Sequence, residues 1–133
     1  MRILYLDCYS GISGDMFLGS LIDAGLDTAR LRRELAKLPL KNYRISCSKV
    51  RRSGISATKF NVIVDKAARE KERTLKDILA LIDKSGLDRE VKAGSRAIFS
   101  RLAAAESRVH GQSLKDMHFH EVGDIDSIID IVG

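Results

Sequence analysis

Tyr43-Arg44-Ile45-Ser46-Cys47-Ser48-Lys49-Val50 alternates apolar and polar side chains with period two, the pattern of a half-exposed β-strand. Ser53-Gly54 supplies residues suited to a tight turn, and Ala57 to Val64 carries a second run with Phe60, Val62 and Val64 in step. Together they predict an antiparallel hairpin. On its N-terminal side, Arg2-Ile3-Leu4-Tyr5-Leu6-Asp7-Cys8-Tyr9 is mostly apolar without alternation, which predicts a buried strand of an α/β sheet. Met16, Phe17, Leu18, Leu21 and Ile22 then recur at helical spacing and stop at Gly25, a natural C-cap. Asp27 or Thr28 caps a second helix through Leu31, Leu35 and Leu38 to Pro39.

Beyond the hairpin, Asp65 to Arg73 is densely charged with no apolar period and reads as a mobile loop. Thr74 caps a helix through Ile78, Leu81 and Ile82 that ends at Gly86. Leu87-Asp88 opens a long helix, with Val91, Ile98, Leu102, Ala105 and Val109 expected on one buried face and Gly111 at its end. Ile125, Ile128, Ile129 and Val132 form a final stripe at i, i+3, i+4, i+7, with Asp124 as N-cap after a turn at Gly123. The elements predict a single α/β domain over residues 1–133, a mixed sheet with a β-hairpin and flanking helices.

A chain of 133 residues, 44% hydrophobic and 31% charged, has the makings of one domain with a real core. Its net charge of +5 and pI near 9.4 favour anionic ligands. The densest basic clusters, Arg30, Arg32, Arg33 and Lys49, Arg51, Arg52, lack interleaved aromatics, which weighs against nucleic acid as a partner. No apolar run reaches membrane-spanning length. Cys8 and Cys47 are far apart, without CxxC spacing or a signal peptide, as expected of reduced thiols in a cytoplasmic protein. The chain ends directly after an apolar stripe with no polar tail, which reads as a cut through a longer polypeptide or a short product of a longer gene.

Chemistry concentrates near that end. His118-Phe119-His120-Glu121-Val122-Gly123-Asp124-Ile125-Asp126 holds two of the three histidines, and Asp130 follows four residues after Asp126 on the same helix face. Imidazoles and carboxylates together suit a borderline divalent ion. His110 lies four residues after Glu106 at the end of the long helix. A pair of merely hydrogen-bonded histidines is the plainer alternative. The second feature is Ser10-Gly11-Ile12-Ser13-Gly14-Asp15, between the first strand and first helix, where α/β proteins commonly bind ligands. Ser10, Gly11, Ser13 and Gly14 can face a phosphate, although the loop is neither a Walker loop nor a GxGxxG fingerprint. Asp7 and Asp15 repel a bare anion and favour a bridging cation such as Mg²⁺. Helix capping and turn formation are the bland reading of the same residues.

The run Tyr5 to Met16 resembles the opening signature of the LarC-type nickel insertion proteins, the pyridinium-3,5-bisthiocarboxylic acid mononucleotide nickel chelatases. Gly54-Ile55-Ser56-Ala57-Thr58-Lys59-Phe60, Glu106-Ser107-Arg108-Val109-His110-Gly111 and His118 to Gly123 resemble it too, in the family's order, and the likeness continues to Gly133. The resemblance implies insertion of Ni²⁺ into the pyridinium mononucleotide to form the nickel-pincer cofactor of lactate racemase-type enzymes. It implies CTP hydrolysis to CMP and pyrophosphate with Mg²⁺ or Mn²⁺, handled by a C-terminal part of the same protein. This chain is then the N-terminal region, incomplete for the reaction alone, with homo-oligomerisation left open. On this reading His118 and His120 hold nickel with Glu121 or Asp126, His110 is a further imidazole, and Asp7 and Asp15 are catalytic carboxylates that bind a cation or position the substrate. One departure stands out. Where many relatives carry a histidine-rich run, this chain reads Asp65-Lys66-Ala67-Ala68-Arg69-Glu70-Lys71-Glu72, so bulk nickel collection there is not expected. A non-catalytic nickel chaperone or regulatory subunit is the main alternative; a basic anion-binding module and a purely structural domain rank below it.

Overall fold

A computed structural model of the chain describes residues 3–65, 73–111, 113–114, 118–119 and 122–133, with His118 described through its backbone. The hairpin is its centre. β1 (Tyr43–Arg52) pairs antiparallel with β2 (Ile55–Val64), Tyr43 opposite Val64 and Arg52 opposite Ile55. Ser53 and Gly54 join them with φ of 48° and 82°, the positive values that a two-residue type I′ turn requires at both positions. The cross-strand pairs Cys47–Phe60, Ile45–Val62 and Tyr43–Val64 face the core, so Cys47 is a packing residue.

Helix α1 (Gly14–Asp23) lies on β2. A Cβ at Gly19 would sit 2.4 Å from the Thr58 carbonyl oxygen, so helix and strand backbones meet at a separation only glycine permits. α2 (Thr28–Leu35) starts at Asp27, whose carboxylate accepts the Ala29 N–H at 2.9 Å, and it buries Leu31 and Leu35. Thr74 and Asp77 form a reciprocal capping box at the head of α3 (Leu75–Lys84). α3 packs beside α4 (Arg89–His110), which ends at Gly111 in the left-handed conformation with φ 63°. A short ladder joins β3 (Arg73–Thr74) antiparallel to β4 (His118–Phe119). Last comes α5 (Ile125–Val132), whose expected stripe of Ile125, Ile128, Ile129 and Val132 is entirely buried.

The α/β domain with a hairpin and flanking helices is therefore present, and both described ladders are antiparallel. Two expectations are corrected. Residues 3–8 form no strand, and Ile3, Leu4 and Tyr5 are 78%, 57% and 84% exposed. A strand apolar on both faces needs neighbours on both edges and cover on both sides, and neither described ladder reaches it. On α4 the buried face is Ser95, Phe99 and Ala103, whereas Val91, Ile98, Ala105 and Val109 are exposed. The small residues a turn either side of Phe99 let its ring sink in, where it meets Phe119 edge-on at 6.4 Å between centroids. Leu102 alone of the expected face packs partly against the core. The charged stretch 66–72 lies outside the described residues. No described helix is long and apolar enough to cross a membrane.

The helix-face assignment is directly testable by urea unfolding. Phe99→Ala should cost about 3–5 kcal/mol, as expected for a buried aromatic. Val109→Ala, on the exposed face, should change stability by less than about 0.5 kcal/mol.

Candidate metal and substrate site

Burying the apolar stripe of α5 turns its other face, with Asp126 and Asp130, outward and toward the start of α1. Contact there is close: a Cβ at Gly14 would lie 2.5 Å from the Asp130 Cβ. Asp130 is partly buried as a result, and its Oδ1 has no hydrogen-bond partner among the described residues. Loss of water pushes its carboxyl up to about 6, helped by the negative charges of Asp15 and Asp126 and opposed by the Asp15 backbone N–H. Asp15 accepts hydrogen bonds from the Ser13 hydroxyl and, at 2.9 Å, from the Met16 N–H. Asp126 is exposed and accepts the Ser127 N–H at 2.8 Å. The charges of Asp15 and Asp126 thus both bear on Asp130 where α1 and α5 meet.

The glycine loop leads into this cluster. Gly11 donates its N–H to the Cys8 carbonyl at 2.8 Å and has φ 83°, a backbone state that favours glycine. Ser10 and Gly11 are exposed. Ser13 occupies the N-cap of α1, but its hydroxyl goes to Asp15 and makes no capping bond. The positive end of α1 therefore faces the carboxylates of Asp15 and Asp130, which occupy the position a bare phosphate would take. Asp7 is exposed on the segment before the loop.

On the other side, β4 is pinned through Phe119, 3% exposed and packed on Phe99. Its backbone sets His118 opposite Thr74 and Phe119 opposite Arg73. The Arg73 guanidinium donates to the Gly123 carbonyl at 2.8 Å, and a Cβ at Gly123 would fall 2.9 Å from the Phe119 carbonyl oxygen. That close approach, not an unusual φ, makes glycine necessary in the turn leading to α5. A cleft of about 290 Å³ opens between β2 and the head of α5, lined by Val62, Val64, Asp124, Ile125 and Asp126. That volume sits at the lower end of the range of ligand pockets and has ample room for an ion or a small group.

Of the residues singled out by sequence, Asp15 and Asp126 each raise the Asp130 carboxyl, and Gly14 packs against Asp130. His110 stands on the last turn of α4, its Nε2 3.1 Å from Glu106 Oε2 in a half-exposed pair. His120 and Glu121 lie outside the described residues. Among the described residues, no three His, Cys, Asp or Glu side chains are grouped closely enough to hold a metal ion. Asp130, read from sequence only as sharing a helix face with Asp126 and given no role of its own, is the carboxylate the structure buries. Its i+4 spacing from Asp126 was the available signal; its burial against Gly14 had none.

The raised Asp130 carboxyl fixes a pH dependence. Its folded-state value of about 6 exceeds the ordinary 3.8, so the native state holds the proton more tightly. Stability from this group is complete below about pH 4 and lost as pH rises through 6. Asp130→Asn should therefore melt higher than the parent at neutral pH, by on the order of 1 kcal/mol after allowing for solvent screening. The two melting curves should converge at acid pH; a gap independent of pH would contradict the assignment.

The chain matches the family described as nickel insertion protein over residues 4–133. The pyridinium-3,5-bisthiocarboxylic acid mononucleotide nickel insertion protein of Acetivibrio thermocellus is 49% identical over 100% of this chain and 34% of its own length. Proteins of the same name are 46% identical in Geobacillus kaustophilus, over 99% of this chain and 34% of their own, and 48% identical in Desulfitobacterium hafniense, over 100% and 33%. The chain spans about a third of the length of the curated relatives it matches. No solved structure matches it. The match runs from the exposed N-terminal segment through the hairpin to the buried stripe of α5, and on that ground the chain belongs to the nickel insertion protein family.

Proposed function

We propose that this chain is the part of a nickel insertion protein that receives Ni²⁺ and offers it to the pyridinium-3,5-bisthiocarboxylic acid mononucleotide. Nickel is a substrate here, and the mononucleotide named for the relatives is its acceptor. His118 and His120 hold the ion with Glu121 or Asp126, and His110 is an accessory imidazole. Such a donor set binds a borderline ion reversibly, which suits delivery. Asp7 and Asp15 hold a second cation or position the substrate. Ser10, Gly11, Ser13 and Gly14 face the substrate phosphate across that cation, since the carboxylates beside them disfavour a bare anion.

The observation that carries this reading is the anchoring of His118-Phe119 beside the acidic head of α5. Phe119 is 3% exposed with its carbonyl against Gly123, and Asp124 and Asp126 at the head of α5 line a cleft shared with β2. Imidazoles carried on this segment beside those carboxylates would make a preorganised site. The coupling to CTP, with Mg²⁺ or Mn²⁺ and release of CMP and pyrophosphate, belongs to the remainder of a full-length protein working in the cytoplasm. The product is the nickel-pincer cofactor of lactate racemase-type enzymes.

The cleft's small volume favours one second reading, a nickel-binding chaperone or regulatory subunit that never holds the mononucleotide itself. Equilibrium dialysis against Ni²⁺ with elemental analysis tests the metal site. The parent chain should bind stoichiometric nickel, and His118→Ala/His120→Ala should weaken binding by at least about tenfold. Equal binding by both chains, or none by either, would remove nickel from this segment. Tighter retention of the mononucleotide by the nickel-loaded chain separates the insertion reading from the chaperone reading.

A further inference from the structure

We propose that Ile3–Leu6 is a β-strand that completes a sheet carried by the part of the polypeptide following the matched region in full-length relatives. Exposure in the described residues is concentrated here. Of the twelve large hydrophobic residues standing out in solvent, Ile3, Leu4, Tyr5, Leu6, Tyr9, Ile12 and Met16 fall within the first sixteen positions. Scattered exposed apolar residues need no explanation, but a contiguous run of this kind marks an interaction surface.

The pattern also selects the partner. In an extended segment Ile3 and Tyr5 share one face while Leu4 and Leu6 share the other. A strand apolar on both faces belongs inside a sheet that is covered on both sides. A second copy pairing edge to edge would give a two-stranded ribbon with both faces still bare, which is marginal in water. A sheet with its own covering layers meets the requirement. The relatives supply the material, since this chain accounts for 34% of their length. Gly133 lies against α1, where an added Cβ would be 2.9 Å from Leu18 Cδ1, so backbone leaving α5 starts beside the helix into which the apolar run leads. A short connection from there closes at little entropic cost.

Hydrogen exchange read by mass spectrometry tests this on two intact proteins, the present chain and the full-length Acetivibrio thermocellus relative. The amides of residues 3–6 should exchange as an unstructured peptide here, and the matching stretch should exchange at least about a hundredfold more slowly in the relative. Equally fast exchange in both overturns the proposal. So does concentration-dependent protection in the present chain alone, which would make a second copy the occupant. Leu4→Asp/Leu6→Asp supplies an independent arm. It should leave the melting temperature of this chain unchanged and lower that of the relative when placed at the matching positions. Unfolding of the present chain by this variant would instead place the run in its own core and also overturn the proposal.

Discussion

Helix α5 is pressed against the first turn of α1 so closely that position 14 has no room for a side chain. That contact couples the two ends of the described chain. The apolar stripe of α5 drives it, with Ile128 and Ile129 wholly buried beneath. Because the stripe fixes the rotation of the helix, Asp130 has nowhere to go but the α1 junction, partly out of water and near Asp15 and Asp126. A cluster of acids at that position is electrostatically costly. A domain of this size sustains it because the hairpin, α1 and α5 share one continuous core.

Charge repulsion of this kind is relieved by a cation. It also explains why the glycine loop is poorly suited to a free phosphate: its serine and its helix dipole are already engaged by carboxylates. The second half of the candidate site obeys a different constraint. Phe119 sinks between α4 and the β3 ladder, and Gly123 lets the chain double back against it. Backbone position at His118 is thereby set by packing, independently of any metal.

Local signals carried the fold wherever they were strong. The alternation at Tyr43–Val50, the Ser53-Gly54 turn, the Thr74 cap and the α5 stripe were each legible and each formed as read. Two readings failed because the deciding interaction was distant in sequence. The run at residues 3–8 has the composition of a central strand but finds no partner within the described residues. On α4 several apolar residues could define a face, and the pairing of Phe99 with Phe119 decided among them. The site shows the same division. Asp126 and Gly14 were visible from pattern, whereas the burial of Asp130 depends on an α1–α5 contact that no local window contains.

The proposed site holds nickel through imidazole and carboxylate groups at the junction of β4 and α5. X-ray absorption at the nickel edge, on the chain loaded with sub-stoichiometric Ni²⁺, addresses this most directly. A first shell of nitrogen and oxygen, with the outer-shell scattering of coordinated imidazole that disappears in His118→Ala/His120→Ala, is the predicted result. A sulfur shell from Cys8 or Cys47, or a spectrum of hydrated nickel unchanged by the substitutions, would contradict it.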